Sequence, residues 1–243
     1  MKAEANPPND AAWLWQASVE PAVFELRPDY RALLILAEGL IPGPSDDHSE
    51  ALLTSAETVA GRLLESISIE ELPHVTEWRQ AFKAFGAKPQ KTRPSVEALL
   101  RRLSGGLPRV DRLTDTYNAL SVAHVAPVGG EDAERYAGPL RLVLATGQEP
   151  FDTIENGEAV LDHPKPGEVV WRDDQGVTCR CWNWRQCTRT RLSESTTRPI
   201  FIMDALGPMD DEALDAARSA LIESLAATNP GAMFSHRVLR RDG

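Results

Sequence analysis

The sequence predicts an α+β fold from two observations: the first half carries apolar residues at helical spacing, and after Gly138 the chain breaks into short strand-like runs separated by Gly, Pro and Asp. A third narrows the class, because helical and strand-like segments do not alternate regularly, as a doubly wound parallel sheet requires. With 243 residues the chain can bury one sizeable core, and a single globular unit is expected.

The elements follow in order. The segment VFELRPDYRALLILAEGL, rich in β-branched, aromatic and leucine residues and broken by Pro28, reads as two strands meeting at a turn, with IPGPSDD a loop. Ser45 or Asp46 can cap a following helix, in which Leu52, Leu53, Ala56, Val59, Ala60, Leu63 and Leu64 recur on one face. A second helix runs through PHVTEWRQAFKAFG, with Trp78, Phe82 and Phe85 together and Gly86 as its stop. After the basic loop AKPQKTRP, SVEALLRRL is a third helix and DRLTDTYNALSVAH a fourth, closed by the loop APVGGED. On the fourth, Leu113, Tyr117, Leu120 and His124 form an apolar stripe beside a polar one of Thr114, Asn118 and Ser121. A polar stripe at the edge of a core needs partners or a ligand. Five strand-like runs come next: PLRLVLATG, EAVLDHP, EVVWRDD, VTCRCWNW and PIFIMDAL. DDEALDAARSALIESLAA, opened by acids and stopped at Asn229-Pro230, is a C-terminal helix, and FSHRVL an edge strand.

No apolar run reaches the roughly 18–20 residues of a membrane span, and the start MKAEANPPND lacks the apolar stretch of a signal peptide. A cytoplasmic location with no membrane partner is expected. The three cysteines, all between 179 and 187, do not describe a disulfide framework and read as reduced thiols. The net charge of −10 argues against a nucleic-acid partner until its distribution is read. From Trp78 to Arg112 nine Lys or Arg face two acids, a local balance of +7. Solvated helix faces or a nucleic-acid surface would both look like this.

The densest chemistry lies in TCRCWNWRQC, Thr178 to Cys187. As a strand it would place Cys179, Cys181, Asn183, Arg185 and Cys187 on one face and Arg180, Trp182, Trp184 and Gln186 on the other. The first face descends from thiols to polar groups, as in a strand leaving a core for a pocket mouth. Cys-x-Cys with a third Cys six residues on lacks zinc spacing and a nearby His, so no metal is expected. A nucleophilic thiol would need a base and a lowered pKa, leaving small buried hydrophobes as the reading. The two tryptophans could stack on bases or pack as core and rim. A P-loop, G-x-G-x-x-G, H-E-x-x-H and G-x-S-x-G are all absent, and His48, His74, His124, His163 and His236 are too scattered to argue a triad. No cofactor is expected.

SVEALLRRL, LP…DTYNALSVAHVAPVGGED, G…LRLVLATGQEPFD, PGEVVWRDD and CWNWRQCTRTRLSESTTRPIFI, in that order, resemble the freestanding relatives of the B3/B4 domain, the editing module of the phenylalanyl-tRNA synthetase beta subunit. The resemblance is clearest over 78–204. It implies a β/β/α-layered α+β domain with a duplicated α+β motif, spanning 1–243, with strands and a helix from 1–70 and the helix at 210–228 packed on it.

The resemblance also implies a cleft that takes the misacylated 3′ end of a tRNA and hydrolyses its ester, with no aminoacylation activity. Asp111, Thr114 and Asn118 resemble the family's D-x-T-N-Y pattern, with Asn118 displaced. Asp132 matches the aspartate of its P-L-H-A-F-D loop, where Gly129 stands in place of the histidine, and WNWRQC occupies the place of its G-G-x-x-S turn. Asn118, Asn183, Arg185 and Asp132 are thus the candidate catalytic residues. Thr114, Gly129, Gly130, Trp182 and Trp184 are candidate substrate contacts, and Lys88, Lys91, Arg93, Arg101 and Arg102 a candidate phosphate track. The alternative is a non-catalytic module of the same fold that binds tRNA or a small ligand.

Overall fold

A computed structural model of the chain describes residues 10–241; the stretch 1–9, read above for a targeting signal, lies outside the described residues. Helix α1 (Asp10–Gln16) and the short strand β1 (Ser18–Val19) precede α2 (Pro21–Leu26), β2 (Arg31–Glu38), α3 (Asp47–Leu64), α4 (Pro73–Ala84), α5 (Ser95–Leu100) and α6 (Arg112–Ala123). Then come β3 (Val128–Asp132), β4 (Arg141–Leu144), β5 (Phe151–Glu155), β6 (Glu158–Asp162), β7 (Val169–Arg172), β8 (Val177–Arg180), β9 (Arg185–Gln186), β10 (Pro199–Ala205), α7 (Asp211–Thr228) and β11 (Met233–Leu239). The order is α+β.

The layering follows from strand periodicity. β2 lies within an antiparallel sheet of order β11-β2-β10-β3, and its apolar run is buried on both faces. Leu33, Ile35 and Ala37 point to one side, where they join Leu53 and Ala56 of α3, Leu113 and Leu120 of α6 and Leu221 of α7. Ala32, Leu34 and Leu36 point to the other, where they meet Leu142, Val169, Trp171 and Cys179 of a second sheet of order β1-β4-β7-β8-β9. Helices, central sheet and second sheet form a β/β/α stack with two apolar layers. Among the described residues no helix is long and apolar enough to cross a membrane.

Three local expectations are corrected. VFEL is not a strand but α2: Glu20 is extended at its N-cap and Pro21 occupies the first turn, where its fixed φ suits a helix and its missing N–H costs nothing. APVGGED is not a closing loop, since Val128–Asp132 pairs with β10 from Met203↔Val128 to Pro199↔Asp132. Its glycines admit close neighbours: a Cβ on Gly130 would stand 3.0–3.1 Å from Tyr117, Leu192 and Phe201. Strand β5 is an element the sequence pattern missed. It pairs with β6 around Asn156-Gly157, both at positive φ (52° and 86°), the signature of a tight hairpin turn.

The remaining helices form where their caps and faces place them. Asp46 caps α3 through Ser49 N, Asp111 caps α6 through Thr114 N, and Asp210 caps α7 through Ala213 N. Gly86 at φ +85° turns the chain out of α4.

Candidate functional site

The strand reading of residues 179–187 fails at its centre. β8 ends at Arg180, and Cys181 and Trp182 take φ of +47° and +67°. Two consecutive non-glycine residues in the left-handed region cost about 1–2 kcal/mol each, so the neighbourhood must hold them. Trp182 N donates to Val169 O at 2.7 Å and Cys181 N to Glu168 Oε1 at 3.1 Å. Glu168 is in turn gripped by the buried Arg180 through Nε at 2.6 Å and Nη2 at 2.9 Å. The turn removes Cys181 from the face of Cys179. It also drives Trp182 into the core, fully buried and edge-on to Tyr30 and Trp78 with ring centroids 4.9 and 5.3 Å away. Trp182 is therefore a wall and not an exposed stacking platform. Trp184 remains half-buried, with the Arg185 guanidinium 5.8 Å from its ring centroid.

This turn lies beside a cavity of about 340 Å³ bounded by α5, α6, β3, β7, β9 and β10. Asn183 Nδ2 donates to Asp204 Oδ2 at 3.2 Å, and Tyr30 Oη donates to Asp204 Oδ1 at 2.6 Å. Burial pushes the Asp204 carboxyl up to about 7, against the lowering effect of those hydrogen bonds. A second buried carboxylate, Glu131, accepts from Tyr136 Oη and Thr190 Oγ1, both at 2.6 Å, and burial raises it too. Asn183 Oδ1 and Ser95 Oγ are buried without a hydrogen-bond partner among the described residues. Asn118, only 8 % exposed on the inner side of α6, makes no side-chain hydrogen bond among the described residues. The cavity thus combines aromatic walls, two protonation-sensitive carboxylates and unsatisfied amide and hydroxyl groups, the composition of a small polar-ligand site.

Of the candidate residues, Asn118, Gly129, Trp182, Asn183, Trp184, Arg185 and Arg102 line this cavity. Arg185 sits on β9 with one long bond, Nη2 to Ile154 O at 3.4 Å. Gly130 stands just behind, its carbonyl accepting from Gln186 Nε2 at 2.9 Å. Asp132 does not reach the cavity: it is buried and accepts from Thr196 Oγ1 at 2.8 Å and Glu134 N at 3.0 Å, fastening the loop after β3. Thr114 Oγ1 donates to Asp111 Oδ2 at 2.8 Å and Ser121 Oγ to Ala126 O at 2.6 Å, so only Asn118 of the polar stripe opens to the site.

Folding pairs five of the nine cations of the +7 stretch with carboxylates. Arg79, Arg93 and Arg101 converge on the fully buried Glu97 at 2.7, 3.7 and 3.0 Å, Arg109 pairs with Glu50 and Glu57, and Arg112 with Asp46. Arg93 and Arg101 of the candidate track are thus engaged by a carboxylate. Lys88 and Lys91 line a neighbouring cleft.

Asp204, Glu131, Gln186 and Ser95 are site residues that sequence reasoning missed. Asp204 carried a usable signal, an acid at the end of the apolar run PIFIM, because a carboxylate in a strand buried on both faces requires partners. The cysteines are free and buried. Burial raises all three thiols, Cys187 to about 11, the opposite of an activated nucleophile.

Comparison with known proteins gives one family match, to the B3/4 domain over residues 77–224. No curated protein matches the chain. Among solved structures, an N-terminal fragment of the phenylalanyl-tRNA synthetase beta subunit from Pyrococcus horikoshii is similar at 13 % identity and a TM-score of 0.45, covering 90 % of this chain and 49 % of that one. The chain spans about half the length of that fragment.

Proposed function

The chain belongs to the B3/4 domain family, and from that premise we propose that it is an editing deacylase, binding the 3′ end of a misacylated tRNA charged by another enzyme and hydrolysing its ester. The observation that carries this is the cavity, where Asn118, Asn183, Arg185 and Asp204 meet from α6, the 181–184 turn, β9 and β10. In hydrolysis, water adds to the acyl carbon, the bond to the ribose oxygen breaks, one of the water's protons ends on that oxygen, and the other passes to solvent as the released acid ionises to its carboxylate. The residues supply the complementary groups. Arg185 donates to the carbonyl oxygen as it gains charge, a contribution worth several kcal/mol in a water-poor pocket. Asn118, with its amide free, holds the attacking water or the ribose hydroxyl. Asp204, fixed by Tyr30 and Asn183, receives the α-ammonium or an attacking water's proton. Asp132, as a loop fastener, has no part in this assignment.

The test is a panel of mischarged tRNAs incubated with purified protein. Ester decay above the buffer rate, lost in Asn118→Ala and Arg185→Ala, is the expected result; decay at the buffer rate throughout rejects hydrolysis.

A second reading, a non-catalytic module binding tRNA or a small amino-acid-like ligand, is favoured by one feature. Among the described residues no histidine lines the cavity, and the one thiol there, Cys179, is held protonated by burial. Binding of the 3′ end without turnover would select it.

A further inference from the structure

The cations of the Trp78–Arg112 stretch are not equivalent in space. Its arginines at 79, 93, 101, 109 and 112 are neutralised by carboxylates, whereas Lys88 and Lys91 have no ion pair among the described residues. Both line an open cleft of about 210 Å³. Lys165, from the loop before β7, reaches the same cleft from a distant part of the chain and is likewise unpaired among the described residues. The convergence is built by the backbone: Gly86 at φ +85° turns the chain away from α4, and Lys91 N and Thr92 N both donate to Lys88 O at 2.8 Å. At the floor Arg180 meets two carboxylates, Glu168 and Asp162, at 2.6 and 2.7 Å, so with the three ammonium groups the cleft keeps a net positive charge of two. Trp184 lines both this cleft and the main cavity. In a chain of net charge −10, a positive hollow that shares a tryptophan wall with a polar cavity is a selective feature.

We propose that this cleft is a phosphodiester subsite for a single-stranded 3′ end whose last residue enters the main cavity. The ammonium groups take the phosphate, and the rings of Trp184 and Phe85 offer a surface to the sugar or base beside it. The strand's identity rests on the function proposed above; the anion chemistry of the cleft does not.

The experiment uses the full chain and an uncharged single-stranded RNA oligonucleotide ending in CCA, with binding followed by fluorescence anisotropy over a salt series. Lys88→Gln, Lys91→Gln and Lys165→Gln combined should weaken binding about tenfold and flatten the logarithmic salt slope by about 2, the value for three contacts to a single strand. Arg62→Gln with Arg241→Gln, which alters cations in other hollows, should leave both unchanged. Wild-type affinity and slope in the triple variant would overturn the proposal, as would inorganic phosphate binding as tightly as the oligonucleotide, which marks a small-anion site. Lysine-dependent oligonucleotide binding without hydrolysis of any mischarged tRNA sinks the deacylase and leaves the cleft standing. Hydrolysis alongside lysine-independent binding does the reverse.

Discussion

Asp204 is the residue whose chemistry most depends on its surroundings. Its carboxyl titrates near 7 when folded and near 3.8 unexposed to burial, so the folded state holds its proton more tightly between those values. That contribution is full below about pH 4 and is lost as pH rises through about 7. Urea unfolding from pH 4 to 8, in steps of about one unit, should show the wild type losing up to a few kcal/mol relative to Asp204→Asn across this window. Parallel curves would mean that Asp204 is ionised throughout. His74 works in the opposite direction: burial lowers it to about 4, with Nδ1 bonded to Val125 O and Nε2 accepting from Trp78 Nε1 and Leu206 N. Because His74 is common to both proteins, the difference between their curves isolates the carboxyl. Arg185 is tested by function instead. Arg185→Ala should lose about 1.5–3 kcal/mol of substrate or transition-state interaction with folding intact, read from kcat/KM or oligonucleotide affinity.

The strand β3 shows how an element can be hidden by its composition. Val-Gly-Gly-Glu-Asp has the residues of a turn, yet it forms the edge of the central sheet because β10 supplies a partner and α6 packs closely over it. The two glycines differ in what they permit. A Cβ on Gly130 meets Leu192, Tyr117 and Phe201 together, whereas one on Gly129 meets only the flexible end of Gln186 at 3.1 Å. Gly130→Ala should therefore cost about 1–3 kcal/mol in denaturant unfolding, and Gly129→Ala less than about 1 kcal/mol. Equal costs would show that β3 yields as a unit. Strand β5 was missed for a related reason: Asn156-Gly157 is a strong turn signal, but the preceding Phe151–Glu155 has a single clear inward alternation, Phe151 and Thr153.

At the scale of the molecule, folding turns a basic segment of sequence into a set of structural ion pairs and, among the described residues, four cations without one: Lys83, Lys88, Lys91 and Arg102. Glu97, fully buried among Arg79, Arg93 and Arg101, is the centre of that rearrangement. Glu97→Ala should destabilise the protein by about 3–5 kcal/mol, since it leaves several guanidinium groups facing one another without their anion. Arg101→Gln should cost stability with oligonucleotide binding unchanged, while Arg102→Gln, at the cavity wall, should weaken binding with stability unchanged. If both act on binding alone, the segment is a nucleic-acid surface after all.

The sequence by itself determined the α+β class, the four long helices with the cap of the first and the acidic start of the last, the buried strands LLIL and PIFIM, and the family to which the chain belongs. These depend on period, capping and order along the chain, which are local or nearly so. Tertiary structure alone decided that Trp182 is core and Trp184 is rim, that Asp132 fastens a loop while Asp204 and Glu131 enter the cavity, and which cations stay unpaired. The physical reason is that each outcome depends on a partner distant in sequence: Asp204 on Tyr30, Glu97 on Arg79, the left-handed turn at Cys181 on Glu168 and Val169. Burial fixes whether a charge can remain charged and whether an amide is left open to a ligand, and burial is a property of the packed layers.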